Sequence, residues 1–123
     1  MRIGADPGKA DQAAALLEKG GHTSVQVLAE VTHVARRRAQ LDWNATNEII
    51  DTLTRICTVH DVTLEVHQHA RTIAQAHSYS IYDAQIIAAA LTAECKTLWS
   101  EDMQNGRVFE GGLRIVNPFA GLP

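Results

Sequence analysis

Proline and glycine are scarce in the middle of this chain, which excludes an internal linker. The 3 prolines and 8 glycines of the 123 residues fall at the two ends and in one early turn, with none between His22 and Asn105. Cysteine is equally sparse. Cys57 and Cys95 are the only two, stand far apart, and form no CxxC pair, so neither a zinc ribbon nor a disulfide framework is available. They read as reduced core thiols. Aromatic residues make up only 5%, and Trp43 and Trp99 are not interleaved with basic residues as a base-stacking platform requires. They read instead as core or dimer-interface residues. No apolar run approaches the ~20 residues that span a bilayer, and MRIGADPGK has no signal-peptide core. The expectation is a cytoplasmic protein with no membrane partner. Excess positive charge is missing too. A net charge of −3 gives no global attraction to nucleic acid or to anionic lipid, leaving Arg36-Arg37-Arg38 as the one dense basic patch.

What is present is an ordinary globular balance, 46% hydrophobic and 20% charged, in a length that suits one domain over residues 1–123. Pro7 and KADQAAALLEK, stopped by Gly20-Gly21, predict a first short helix. A brief β-branched run from His22 to Gln26 flows into a helix reaching about Ala39. Asp42 is placed to cap WNATNEIIDTLTRIC, where Ile49, Ile50, Leu53 and Ile56 recur at helical spacing. Thr58 to Val62 predicts a strand, and Thr63 caps a helix running to about His77. Ser80 opens another helix to about Glu94. Thr97 to Ser100 predicts a short buried strand and Leu113 to Asn117 a last one, stopped by Pro118. Short strands alternating with longer helices indicate an α/β fold with a short parallel sheet flanked by helices.

Three acids stand where apolar residues are expected. Glu30 interrupts SVQVLAEVTHVARRR, Asp83 interrupts SIYDAQIIAAAL, and Asp102 follows TLWS. A carboxylate taken out of water costs several kcal/mol unless something pairs with it, and a divalent cation can hold several together. At about 100° per residue, Asp83 shares a helix face with Ile87 and Ala90, while Gln85 and Thr92 fall opposite. The competing reading of Asp83 is a capping box, since Ser80-x-x-Asp83 has that spacing, and the two roles are compatible. Glu30 edges the stripe of Val27, Val31 and Val34. Arg37, two turns on, makes a surface salt bridge its bland explanation. Asp102 lies at the end of a strand, where α/β sheets place functional groups, or else is an ordinary turn aspartate in SEDMQNG. Such a cluster suits phosphodiester hydrolysis with Mg²⁺ or Mn²⁺, with no histidine or cysteine nucleophile.

The order SVQVLAEV, HVARRR, LxW, SIYDAQIIAAAL, TLWSEDMQNG and LRIVNPF closely resembles PIN-domain proteins, and within them the VapC-type toxins of bacterial toxin–antitoxin pairs, from about Asp6 to Phe119. The resemblance implies a Mg²⁺- or Mn²⁺-dependent endoribonuclease that cuts RNA, forms a homodimer and is inhibited by a cognate antitoxin. It carries the family's second, third and fourth acids onto Glu30, Asp83 and Asp102, and matches Ser100 to the small hydroxyl residue two before the last aspartate. Substrate contacts fall to Ser100 and, more weakly, to Arg37. One part of the pattern has no counterpart. The family opens with a central strand that ends in its first metal-binding aspartate, whereas this chain starts at MRIGADPGKA, which matches the segment just after that strand. Asp6 falls in the loop before the first helix and does not take that role. Either the start lies at an internal Met or the form is genuinely shortened. The resemblance therefore implies a PIN-like domain whose first, central strand is missing, and whose sheet closes by rearrangement or by exchange with another copy.

Two further readings stay open. Without the first aspartate the chain is a catalytically impaired binding module that dimerises and binds an antitoxin without cleaving RNA; or the three acids merely cap helices in a generic interaction domain. The six histidines add no metal signal, because His67 and His69 point about 200° apart on a helix and read as surface residues.

Overall fold

The computed structural model describes residues 21–100, 103 and 106–116. Its elements are β1 (Gly21–Ser24), α1 (Val25–Arg37), α2 (Trp43–Ile56), β2 (Cys57–His60), α3 (Leu64–His77), α4 (Ile81–Thr92), β3 (Thr97–Trp99), a 3₁₀ turn (Glu110–Gly112) and β4 (Arg114–Val116). The α/β class and the order of elements follow the sequence reading. The helix expected over KADQAAALLEK lies outside the described residues.

Each helix starts where a short polar side chain can take up an orphan N–H. Ser24 Oγ accepts from Val27 N at 3.3 Å, Asp42 Oδ1 from Ala45 N at 2.8 Å, Thr63 Oγ1 from Val66 N at 3.1 Å, and Ser80 Oγ from Asp83 N at 3.1 Å. The C-terminus of α3 turns on Ser78 at φ 59°, and Gly111 and Gly112 take φ of 77° and 83° to fold the chain back so that Phe109 N reaches Leu113 O at 2.7 Å.

The strands form two separate parallel pairs. β1 runs beside β2 with Gly21 opposite Cys57 and Ser24 opposite His60; β3 runs beside β4 with Thr97 opposite Arg114 and Trp99 opposite Val116. Among the described residues no strand joins the pairs.

Two apolar clusters hold these parts together. The larger packs α3 against α4 and β4 through Val66, Ala70, Ile73, Ile87, Leu113 and Ile115. The smaller joins α1 to α2 through Val27, Val31 and Leu53. Ile86 touches both. Alanines at 70, 84 and 88 are fully buried, and their methyl-sized side chains let helix backbones approach closely.

Burial narrows or corrects three expectations. Trp43 is 55% exposed and Trp99 37% exposed, which removes the core half of the core-or-dimer-interface reading and does not test the other half. The Arg36 guanidinium lies 4.6 Å from the Trp43 ring centroid, a cation–π contact at the surface. β3 is not buried, since Thr97 and Trp99 are both exposed. Cys57 and Cys95 are free but only half-buried, and burial pushes each thiol above its ordinary value.

Thr46, inside α2, is 0% exposed, and its hydroxyl has no hydrogen-bond partner. A buried hydroxyl left unpaired costs about 1–3 kcal/mol, and valine has nearly the same shape. Thr46→Val is therefore expected to stabilise the fold by about 1 kcal/mol, read as a rise in the urea midpoint at unchanged slope; a lower midpoint would show that the hydroxyl is satisfied.

Candidate functional site

Glu30 sits in the second turn of α1 and Asp83 in the first turn of α4, and both are half-buried. The 43 residues from Arg38 to Ser80 lie between these helices, so any link between them is tertiary. Gln26, four residues before Glu30 and hence on the same face of α1, donates from Nε2 to the carbonyl of Tyr82, the residue before Asp83, at 2.8 Å. Its Oε1 accepts from Gln85 Nε2 at 2.7 Å. Gln85 Oε1 in turn lies 3.0 Å from His67 Nδ1 on α3.

These three contacts fix one another's direction. With Gln85 Nε2 committed to Gln26, its Oε1 has only accepting capacity left for His67. His67 therefore donates from Nδ1. One unbroken chain then runs from His67 through Gln85 and Gln26 to the Tyr82 carbonyl, pinning the Glu30 helix to the first turn of the Asp83 helix. This corrects two expectations. Gln85 is half-buried, not on a solvent face, and His67 is half-buried and bonded, although His69 is exposed as expected. Removing the central link leaves the Gln85 amide without its partner. Gln26→Ala is expected to cost about 1–2 kcal/mol of stability, measured by thermal or urea unfolding, and an unchanged stability would mean that water replaces it fully.

Ser80 Oγ bonds the backbone N of Asp83, so the capping interaction expected from Ser80-x-x-Asp83 is present. It uses the main-chain N–H of Asp83 and not its carboxylate. Ser100 is half-buried. Its N donates to Val116 O at 3.0 Å and its Oγ accepts from Met103 N at 3.2 Å, which ties together the two ends of the segment bearing Asp102. Asp102 itself lies outside the described residues, so its place relative to Glu30 and Asp83 is untested. Arg36, Arg37 and Arg38 are exposed at the C-terminal end of α1, where cations complement the helix dipole.

Among the described residues no three His, Cys, Asp or Glu side chains gather closely enough to hold a metal ion; of the three candidate acids only Glu30 and Asp83 are described. Their donor chemistry is all carboxylate oxygen, which fits a hard divalent cation such as Mg²⁺ or Mn²⁺ and not zinc, for which nitrogen or sulfur ligands predominate.

Residues 2–108 match the PIN domain. The chain belongs to the PIN domain family. PIN domains are in general nucleases that use divalent metals. Similar in fold to this PIN domain is a chain of a toxin–antitoxin complex from Klebsiella pneumoniae, with a TM-score of 0.69 and 18% identity over 93% of this chain and 87% of that chain. At that identity the likeness is one of fold. No curated protein matches this sequence. No described helix of this PIN domain is long and apolar enough to cross a membrane.

Gln26, Gln85 and His67 are the residues the sequence reading missed. The available signal was two glutamines placed beside candidate acids on two largely apolar helices.

Proposed function

We propose that this PIN domain is the metal-dependent endoribonuclease toxin of a toxin–antitoxin pair. The observation that supports it most directly is the hydrogen bond from Gln26 to the Tyr82 carbonyl, which joins the helix bearing Glu30 to the turn bearing Asp83 within a nuclease fold. Glu30, Asp83 and Asp102 would hold Mg²⁺ or Mn²⁺. When bound, such a cation supplies charge neutralisation at a phosphate and a water of lowered pKa. Glu30 and Asp83 would provide the negative charge that recruits it. The Gln26–Gln85–His67 chain would keep their helices in register, and Ser100 would hold the turn that presents Asp102. Arg37, exposed at the end of α1, would meet the RNA backbone through a charge-assisted contact to phosphate. The toxin–antitoxin setting of the structural neighbour supports a cognate antitoxin as partner, and family resemblance supports a homodimer in the cytoplasm.

A second reading is kept beside the first. It rests on the sequence resemblance, in which the family's first acid has no counterpart: a binding module that dimerises and binds an antitoxin without cutting RNA. The separating experiment incubates a mixed RNA pool with the chain and Mn²⁺ or Mg²⁺, beside an EDTA control. Cleavage abolished by EDTA supports the nuclease. Absence of cleavage together with retained self-association and antitoxin binding supports the second reading.

A further inference from the structure

Most of the described Phe, Trp and Tyr rings have partners. Phe109 is buried, with the Tyr79 ring tilted against it at 6.0 Å between centroids. The Arg36 guanidinium lies over Trp43. Tyr82 is the most exposed of these residues, at 66%, yet its backbone is anchored. Its carbonyl accepts from Gln26 Nε2 at 2.8 Å. The next two amides are held as well: Ser80 Oγ accepts from Asp83 N at 3.1 Å and Ser80 O from Ala84 N at 2.9 Å. An uncovered ring on a fixed backbone loses little freedom when something packs on it, since tyrosine has only two side-chain torsions.

The helix sets where that ring stands. At about 100° per residue, positions 82, 85, 86 and 89 share one face of α4. Gln85 on this face bonds Gln26 of α1 at 2.7 Å, and Ile86 packs on the cluster of Val27, Val31 and Leu53. The face is therefore turned toward α1, the helix that bears Glu30. Tyr82 continues it by one more turn, past the end of the packing and into solvent. Asp83 is the next residue, its Cα about 3.8 Å away and its side chain rotated by about 100°. Tyr82 thus stands beside one candidate acid, on the side of the helix that carries the other.

That placement selects the occupant. The carboxylates beside the ring suit a hard cation and the phosphate it meets, which favours RNA over a protein partner. A tyrosine face carries no net charge to attract a phosphate, whereas every unpaired base has a π-face that stacks on an aromatic ring. The basic residues that usually accompany a stacking platform are not needed where a divalent cation, held as proposed above, meets the adjoining phosphate.

We propose that Tyr82 is a positioning residue, on which the unpaired RNA base next to the cleaved phosphate stacks. This rests on the nuclease reading above and adds to it the side chain that fixes the base.

The test compares the natural full chain with Tyr82→Phe and Tyr82→Ala. The probes are single-stranded oligoribonucleotides of about eight nucleotides, within the usual footprint of a single-strand groove, each carrying 2-aminopurine at a different position. Stacking quenches the fluorescence of that base, and cleavage in Mn²⁺ is followed on the same oligomers. Quenching is expected at one probe position in the natural chain and in Tyr82→Phe, and not in Tyr82→Ala. Tyr82→Ala should also raise KM at least ~5-fold, change kcat less than KM, and leave the urea midpoint in place. An abasic nucleotide at the quenched position should erase the difference between the natural chain and Tyr82→Ala. Quenching and KM unaltered by Tyr82→Ala, in a chain that cleaves, would overturn the proposal and leave the nuclease standing; the ring would then serve a protein partner. Equal losses in Tyr82→Phe and Tyr82→Ala would also overturn it, because the hydroxyl and not the ring face would be at work. A natural chain that neither quenches nor cleaves any probe would remove the nuclease reading itself, and this role of Tyr82 with it.

Discussion

Asp83→Asn is expected to lower metal-dependent RNA cleavage by about 100-fold or more, since loss of one metal-holding carboxylate removes charge stabilisation of a few kcal/mol and each 1.36 kcal/mol is tenfold in rate. The substitution changes charge but almost no shape. The start of α4 should survive it, because Ser80 Oγ caps the backbone N of residue 83 and not its side chain. Initial rates in Mn²⁺, measured beside urea unfolding, separate the two possible roles. Lost activity at retained stability identifies a site residue. Retained activity with reduced stability reduces Asp83 to a capping-box partner, with a cost of the usual ~1 kcal/mol. The proposed nuclease does not survive that second outcome.

Ile87→Ala acts on the same helix by a different route. Ile87 is 0% exposed and belongs to the cluster that binds α4 to α3 and β4. Truncation removes buried methylene and methyl groups and leaves a cavity that a close-packed interior fills only in part, at about 2–5 kcal/mol. Against a total stability of about 5–15 kcal/mol for a domain of this kind, a large share of the folding free energy is at stake. The urea midpoint should fall steeply with the slope little changed. Cleavage should then recover on cooling toward the temperature of greatest stability, where more of the chain is folded, while an Asp83→Asn protein stays inactive at every temperature. A change below about 1 kcal/mol would mean that the core closes over the gap, contrary to the packing described.

The parts of this fold that were legible in the sequence are those set by neighbours along the chain. Asp42, Thr63 and Ser80 announce helix starts because a capping side chain reaches only three residues ahead, and all three do so. Val27, Val31 and Leu53 are buried as their spacing requires. Strand ends shift by a residue or two: β2 begins at Cys57, not Thr58, and stops at His60, not Val62. Gln85 was misplaced for an identifiable reason. A helical wheel assumes one buried face, but α4 is apolar nearly all round, with Ala84, Ile87, Ala88 and Ala89 buried and Ile86 and Ala90 half-buried. A helix packed on several sides has no solvent face to which a glutamine can be assigned.

The Gln26–Gln85 bond spans 59 positions, and no local periodicity encodes such a contact. For Trp43 and Trp99 the core half of the reading failed because size and hydrophobicity argue for burial, whereas both are exposed in the single chain and Trp43 finds its partner in Arg36 at the surface. For the candidate acids, the chain positions were visible from their isolation among apolar residues. The hydrogen bonds that join their two helices were not.

The measurement that bears most directly on a shared metal site is a Mn²⁺ titration followed by NMR line broadening of Glu30 and Asp83. Both residues should broaden together along one saturating curve, excess Mg²⁺ should reverse the effect, and Asp83→Asn should weaken it at Glu30 as well. Broadening of one acid alone, of neither, or of Glu30 unchanged in the Asp83→Asn protein would contradict it.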